Sequence, residues 1–278
     1  MTRAEALKMA KNRLEAISDA PQAEAHLLLE HLTKLSRTDL ILNRQEVLTK
    51  AQRETLDVWL ERRRNREPLQ HILGVAPFYG LELNVTPDVL IPRPETERLV
   101  ELVLNDISEL ASPKILDVGT GSGAVALALK QEKPDAVIMA TDVSEAALRV
   151  ARRNARDLGL EVSFVLSNLL TNDEVETFAR TLDILVANLP YLPERDRETV
   201  SPEVDHDPHL ALYAGADGLD LFKRLATQAF KLLKPGVLCW LELDPRNVLE
   251  AANSSKKWAE VAVFTDLVHR KRFLKLKR

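Results

Sequence analysis

The chain has a single cysteine, Cys239, in 278 residues. A disulfide within the chain is excluded, which agrees with the cytoplasmic setting expected here. Cys239 lies in the apolar run Val237–Leu243, where a thiol acts as a small buried hydrophobe rather than a nucleophile. The six histidines are scattered, no Cys/His spacing suggests zinc, and no metal site is expected. No apolar run approaches ~18 residues, so no membrane span is expected. The opening Met-Thr-Arg-Ala-Glu-Ala-Leu-Lys carries an acid early and has no apolar core of the kind a secretion leader needs. A surplus of positive charge is also missing. The net charge is −4, which gives no global drive toward nucleic acid. What remains, 45% hydrophobic and 29% charged, fits a soluble globular protein of one large or two modest domains.

Glycine is scarce as well, with nine in the whole chain, and three of them stand in five consecutive positions: Gly119, Gly121 and Gly123. They follow a short buried strand containing Ile115, Leu116 and Val118 and precede an Ala/Leu helix over 124–130. Strand, glycine turn and helix form the first crossover of a nucleotide-type α/β fold, whose ligand sits at the carboxyl edge of the sheet. The spacing G-x-G-x-G differs from the G-x-G-x-x-G of dinucleotide folds, so NAD is the weaker fit. Asp117, inside the strand end, would repel a pyrophosphate and suits a cationic, amine-bearing ligand. A second strand over 136–141 ends at Asp142, placed like an acid that binds ribose hydroxyls. Asp142 could equally cap the helix that follows over 144–158. Together these features resemble the signature of methyltransferases that use S-adenosyl-L-methionine (AdoMet), with Asp117, Gly119, Thr120, Gly121, Ser122, Gly123 and Asp142 as cofactor-binding residues.

Three segments are read along the chain. Residues 1–67 have helical periodicity, with Pro21 opening a second helix, and suggest a small helical domain that recognises a partner. The arginine-rich stretch 61–67 reads as a solvated helix face. Residues 68–93 are rich in Pro, Gly and aromatics, and the runs 71–73 and 81–85 suggest a β-hairpin linker. From residue 94 to 278 strands and helices alternate. Pro94 opens a helix over 95–110, placing Arg93, Glu95, Thr96 and Glu97 at its N-terminus, as caps or as a lid over the cofactor site. A strand over 162–165 leads to Asn168 and Leu169, placed to meet an adenine amino group and ring. A helix over 220–233 and strands over 236–243, 261–264 and 272–276 complete the domain, with Trp240 in its core.

A fourth strand, 182–187, ends in Asn188-Leu189-Pro190-Tyr191. This resembles the (N/D/S)-P-P-Y motif of enzymes that methylate amino nitrogens. An amide nitrogen shares its lone pair with the carbonyl and is a poor nucleophile. The Asn188 side-chain oxygen and the Leu189 carbonyl can each accept one N–H, pin the amide and aim its nitrogen, and Tyr191 can pack against the planar group. Taken in order, residues 85–97 (with Ile-Pro-Arg-Pro-Glu-Thr-Glu), 117–123, 188–191 and 207–219 resemble the release-factor glutamine methyltransferases (HemK/PrmC type). The family usually has Pro where Leu189 stands, often an aromatic residue where Leu169 stands, and Glu-Pro where Asp207-Pro208 stands.

The resemblance implies a Rossmann-like, mostly parallel sheet with an antiparallel last strand. It implies AdoMet as cofactor, held in part by Thr96, Asn168, Leu169 and Asn188, with Asn188, Leu189, Pro190 and Tyr191 catalytic. It implies methyl transfer to the side-chain nitrogen of the Gln in the Gly-Gly-Gln loop of class 1 peptide release factors by a monomeric enzyme that takes no nucleic acid as its main substrate. Two other readings stay open. One is a nucleic-acid amino-methyltransferase, suggested by Asn-Leu-Pro-Tyr and the basic tail Arg270, Lys271, Arg272, Lys275, Lys277 and Arg278. The other is a non-catalytic AdoMet-binding module in translation termination.

Overall fold

The computed structural model describes residues 1–278 and divides into two units. The first comprises Met1–Gly74 with the short segment Ser201–His206. It holds α1 (Arg3–Leu14), α2 (Pro21–Thr33), α3 (Arg37–Leu42), α4 (Lys50–Arg64) and α5 (Leu69–Leu73). The helices start where capping chemistry predicts. Thr2 with Glu5 and Thr49 with Gln52 form reciprocal capping boxes, and Pro21 opens α2. Ala6, Ala10 and Leu14 of α1 pack against Leu28 and Leu29 of α2 and Leu56 and Leu60 of α4.

The arginine-rich end of α4 is not the solvated face expected from the sequence. Arg63 is only 5% exposed. Its guanidinium donates to Glu24 at 2.9 and 3.3 Å and to Glu203, from the returning segment 201–206, at 3.1 Å. Arg66 donates to Glu203 and to the Ile17 carbonyl, and Arg62 pairs with Glu67. Charge counting along one helix could not reveal these partners, which lie 39 and 140 residues away.

The second unit, Val75–Val200 with Asp207–Arg278, opens on a hairpin of β1 (Val75–Phe78) and β2 (Leu81–Asn84). The turn Tyr79-Gly80 has φ +47° and +77°, the left-handed pair that a two-residue hairpin loop requires. The run 71–73, read as the first hairpin strand, is instead α5, ended by Gly74 in the left-handed conformation.

The hairpin is followed by α6 (Pro94–Ile107), β3 (Lys114–Val118), α7 (Ala124–Glu132), β4 (Val137–Asp142), α8 (Glu145–Leu158), β5 (Ser163–Leu166), α9 (Asp173–Ala179) and β6 (Ile184–Asn188). After a long loop come α10 (Asp220–Leu232), β7 (Leu238–Glu242), α11 (Val248–Ser254), β8 (Glu260–Thr265) and β9 (Lys271–Lys277). The sheet order is β5-β4-β3-β6-β7-β9-β8. The first five strands run parallel, and β9 is antiparallel to both β7 and β8. This is the expected α/β architecture of the AdoMet-dependent methyltransferases.

Alternate residues of each central strand serve opposite faces. Ile115, Val186 and Trp240 pack with α6, α7 and the hairpin, while Leu116, Leu185 and Leu241 pack with α9, α10 and α11. A sheet covered on both faces needs apolar residues on both sides of its strands, which is why β3 and β6 read as continuous hydrophobic runs. Trp240 is fully buried and its indole N–H finds the Asp106 carboxylate at 2.8 Å. No helix is long and apolar enough to cross a membrane.

Arg63→Ala removes the cation that holds two carboxylates in the helical unit. The expected cost is roughly 3 kcal/mol, at the low end for a broken buried pair because Glu24 and Glu203 keep some access to water. Hydrogen exchange of α2 and α4 amides should rise accordingly, and unchanged protection there would contradict this account.

Candidate active site

The chain builds the sheet outward from β3, first through β4 and β5 on one side, then through β6 and β7 on the other. The order reverses between β3 and β6, and the crevice outside the carboxyl ends of such strands is where open α/β sheets hold ligands. The register pairs Val118 with Ala187, so the glycine turn after β3 and the Asn188 loop after β6 emerge side by side.

Gly119 marks how close they come. Its φ is +77°, and an added Cβ would lie 2.7 Å from Leu189 Cδ2. The glycine at this position supplies both the left-handed backbone and the room for Leu189.

A cavity of about 280 Å³ occupies the crevice. The glycine turn contributes Asp117 and Gly119 to Ser122, and the end of β4 contributes Asp142. Asn168 and Leu169 come from the loop after β5, Asn188, Leu189 and Pro190 from the loop after β6, and Thr96 from the first turn of α6. The structure thus brings together the sequence-predicted residues with two exceptions. Gly123 is the N-cap of α7, packed against Leu127 and Ala151. Tyr191 does not line the cavity either. The side chain is half-buried, with Glu242, Arg272, Arg93 and Asp244 as its charged neighbours, and desolvation together with Glu242 suppresses its ionisation.

Asp117 is 1% exposed. Burial pushes its carboxyl up to about 7, against the Thr120 hydroxyl, which donates to it at 2.6 Å, and the Ala126 N–H; the nearby Asp142 adds to the rise. Asp142 accepts from the Gly121 N–H and the Ser144 N–H, both at 2.9 Å, and burial raises its pKa as well. The helix cap is Ser144 itself, which accepts from the Ala147 N–H, so Asp142 is left at the cavity wall. Leu169 is held in the left-handed region at φ +58° and is 6% exposed, a backbone cost that sequence alone does not show. The Asn168 side-chain oxygen accepts from Arg224 at 3.0 Å. Its second lone pair stays available.

The motif-bearing stretches are tied to one another by side-chain contacts that the sequence reading did not foresee. Arg93 donates to Asp207 at 2.7 Å, and the Ile91 N–H reaches the same carboxylate at 3.4 Å. Residues 85–97 are thereby joined to the segment 207–219. That segment backs the Asn188 loop. Leu192 N–H donates to the Leu212 carbonyl and Ala214 N–H returns to the Leu192 carbonyl. Gly218 sits so tightly on the Tyr191 carbonyl that a Cβ there would overlap it, at 2.2 Å. Thr96 Oγ1 accepts from Asn188 Nδ2 at 3.0 Å. A motif far from another in sequence carries no signal of such pairing.

The basic tail is largely committed inside the unit. Lys275 pairs with Asp106, Arg272 with Asp266, Arg270 with Asp266 and Glu95, and Arg278 lies over the Phe230 ring. Arg270, Lys271 and Lys277 are the exposed ones among these six, and Arg270 is already paired with two carboxylates, which leaves little of the stripe that phosphate binding requires.

The donor set fits AdoMet. A glycine turn leaves backbone open to a ligand, Asp117 is a buried carboxyl without a countercharge, Asp142 offers acceptors, and Leu169 offers an apolar wall. Fold and site define an AdoMet-dependent methyltransferase. The family models agree: residues 5–74 match the PrmC N-terminal domain and residues 96–204 match the methyltransferase small domain. The chain is 44% identical over 262 residues to the release factor glutamine methyltransferase of Deinococcus radiodurans, covering 93% of this chain and 92% of that protein. It is 40% identical to that of Coxiella burnetii, covering 86% and 84%. The chain belongs to the release factor glutamine methyltransferases. The hMettl16 catalytic domain, solved with a MAT2A 3'UTR hairpin, superposes with a TM-score of 0.57 over 90% of each chain at 15% identity, and shares the fold.

Gly119→Ala should cost about 2 kcal/mol, from the left-handed backbone and the displacement of Leu189. In a Leu189→Ala background the same change should cost only the backbone part, about 1 kcal/mol. Denaturant midpoints of the four proteins measure this coupling, and strictly additive costs would show that the two loops do not touch.

Proposed function

We propose that the protein transfers the methyl group of AdoMet to the side-chain nitrogen, N5, of the glutamine in the Gly-Gly-Gln motif of class 1 peptide release factors. The observation that carries this reading is Asn188, which opens on the same cavity as the glycine turn with its Nδ2 already engaged by Thr96. A carboxamide held by its nitrogen presents its oxygen as an acceptor, and an acceptor is what a primary amide substrate needs. The relatives named for this activity cover nearly the whole chain, including its helical unit, and this favours a protein substrate over RNA.

Bound at the glycine turn, AdoMet supplies an electrophilic methyl on a sulfonium centre. The protein's own part is placement. Asn188 Oδ1 and the Leu189 carbonyl each accept one N–H of the substrate amide, which fixes its plane and aims the nitrogen. A well-oriented pair of this kind removes roughly 7–11 kcal/mol of barrier. The same two acceptors would stabilise the positive charge that grows on the nitrogen as the N–C bond forms and the S–C bond to the methyl breaks, its electron pair staying on sulfur as a neutral thioether. The methylated nitrogen is then strongly acidic and loses its proton to water, so no tuned base is required. Asp117 and Asp142 hold the cofactor's ammonium group and ribose hydroxyls, and Leu169 packs against its adenine. The helical unit grips the release factor.

Asn188→Ala should lower kcat by roughly 10²–10³-fold with a much smaller effect on AdoMet affinity. Mass spectrometry of the Gly-Gly-Gln peptide after incubation with AdoMet is the decisive assay. A cognate release factor left unmethylated by the wild-type protein would sink the proposal.

Asp117 makes the cofactor affinity depend on pH. An ammonium beside it favours the carboxylate, so the free protein, with Asp117 near 7, binds the extra proton and must release it on binding. Affinity should be full above about pH 7 and weaken by up to ~tenfold per unit below it. Calorimetry in buffers of different ionisation enthalpy reads the released proton directly. A pH-independent affinity with no proton release would remove Asp117 from the ammonium site.

A further inference from the structure

Behind the cavity lies a carboxylate that the methyl transfer as described does not use. Glu242 ends β7, directly across from Asn188 on β6. It is 1% exposed, and neither carboxylate oxygen makes a hydrogen bond of good geometry. A buried carboxylate so poorly satisfied is costly and calls for a reason. Its neighbours are known from every side. Thr96 and Glu95 approach from α6, Arg272 from β9 with Nη1 3.7 Å from Oε1, and Asp266 from the turn before β9. Tyr191 faces it from the loop after β6, and Asp244 follows it on its own chain. Of these, Thr96 is shared. It is 4% exposed, its hydroxyl lies close enough to Glu242 to favour the ionised form, and its oxygen accepts from Asn188 Nδ2 at 3.0 Å.

A hydroxyl has one proton to give. An ionised carboxylate can only accept. With the Thr96 proton turned to Glu242, its oxygen is left to accept, and the one donor Asn188 can offer it is Nδ2–H. Oδ1 is then forced onto the other arm of the carboxamide. If Glu242 is protonated or replaced by an amide, this polarity is no longer imposed. Thr96 can donate to Asn188 Oδ1 instead, and Nδ2–H then faces the substrate N–H, donor against donor. A flipped Asn188 has the same shape and the wrong chemistry.

We infer that Glu242 and Thr96 are positioning residues that fix which way round the Asn188 carboxamide sits: Asn188 Nδ2–H donates to Thr96 Oγ1 in the structure, and the inferred link is that the Thr96 hydroxyl turns its proton to the neighbouring Glu242 carboxylate, a contact not closed to a hydrogen bond here. The inference rests on Asn188 acting as an acceptor for an amide substrate, as set out above. It has a consequence in pH. Burial pushes Glu242 up to about 7 against the opposing effects of Thr96 and Arg272, with Glu95 and Asp266 adding to the rise. The competent form is the carboxylate, so activity is full above this value and falls as pH drops through it.

Two measurements test the chain, one of them independent of turnover. Glu242→Gln and Thr96→Val should each lower kcat by about tenfold or more; Glu242→Gln, whose side chain does not line the cavity, should leave AdoMet KM within about twofold and lose the Glu242 contribution to the acidic limb of kcat. Thr96→Ser, which keeps the hydroxyl, should restore most of kcat. In NMR spectra of the protein without substrate, the Asn188 side-chain amide signals should titrate with Glu242 in the wild type and stay still in Glu242→Gln and Thr96→Val. A Thr96→Ser variant as impaired as Thr96→Val, or Asn188 signals indifferent to Glu242, overturns the inference. If the wild type methylates no glutamine, the reading of the reaction fails, and the amide titration still decides whether the chain of hydrogen bonds exists.

Discussion

The structure depends on two strand ends lying next to each other. β3 and β6 are sequential neighbours in neither direction, yet the sheet places them in register, and the loops that leave them share one cavity. Parallel pairing fixes their direction, so both loops emerge at the same edge. The contact between Gly119 and Leu189 sets their separation to van der Waals distance, and that contact needs the glycine. The rest of the second unit then follows as support: helices to cover both faces of the sheet, and the segment 207–219 to brace the Asn188 loop from outside.

Much of this was legible in the sequence, for identifiable reasons. The glycine turn could be read because left-handed backbone and open space are properties of single residues that composition reveals. The strands could be read because burial on both faces leaves continuous apolar runs. Pro21 and Pro94 gave helix starts because a proline's fixed φ and missing N–H suit that position alone. The α5 segment was misread because five residues are too few for any periodicity to declare itself, and only Gly74 beyond it marks a helix end. The hairpin turn Tyr79-Gly80 was passed over because tyrosine is a poor guide to a left-handed residue.

What sequence could not give was pairing across distance. Arg63 looked like one of four solvated arginines, and Glu242 like the end of an apolar strand. Arg93 and Asp207 lay in separate motifs, each with a local explanation. The structure shows that a buried ionisable group takes its meaning from its surroundings: Arg63 keeps its charge beside Glu24 and Glu203, while burial pushes Asp117, without a countercharge, toward its neutral form. Tyr191 is the instructive case. The motif reading placed its ring on the substrate because an aromatic face beside an amide is a natural contact. In the structure the half-buried ring has Glu242 and Arg272 as charged neighbours, a pairing that no local motif announces.

Leu189 completes the logic. The family's usual proline would stiffen the loop by fixing φ, a restraint on the unfolded chain as much as the folded one. Leucine gives up that restraint and brings a larger side chain, which is 8% exposed and joins the core beneath β3 and β6 while touching the position of Gly119. The two solutions hold the same loop by different means, one through the backbone and one through packing. A loop held by packing depends on its neighbours, so the order around Asn188 in this chain rests on the glycine turn, on Gly218 behind Tyr191, and on the hydrogen bond that Asn188 donates to Thr96. The substrate-facing acceptors are main-chain and side-chain oxygens of two consecutive residues. Their aim is therefore only as good as the contacts that seat Leu189, and a change that loosens those contacts reaches the chemistry without touching a reacting atom.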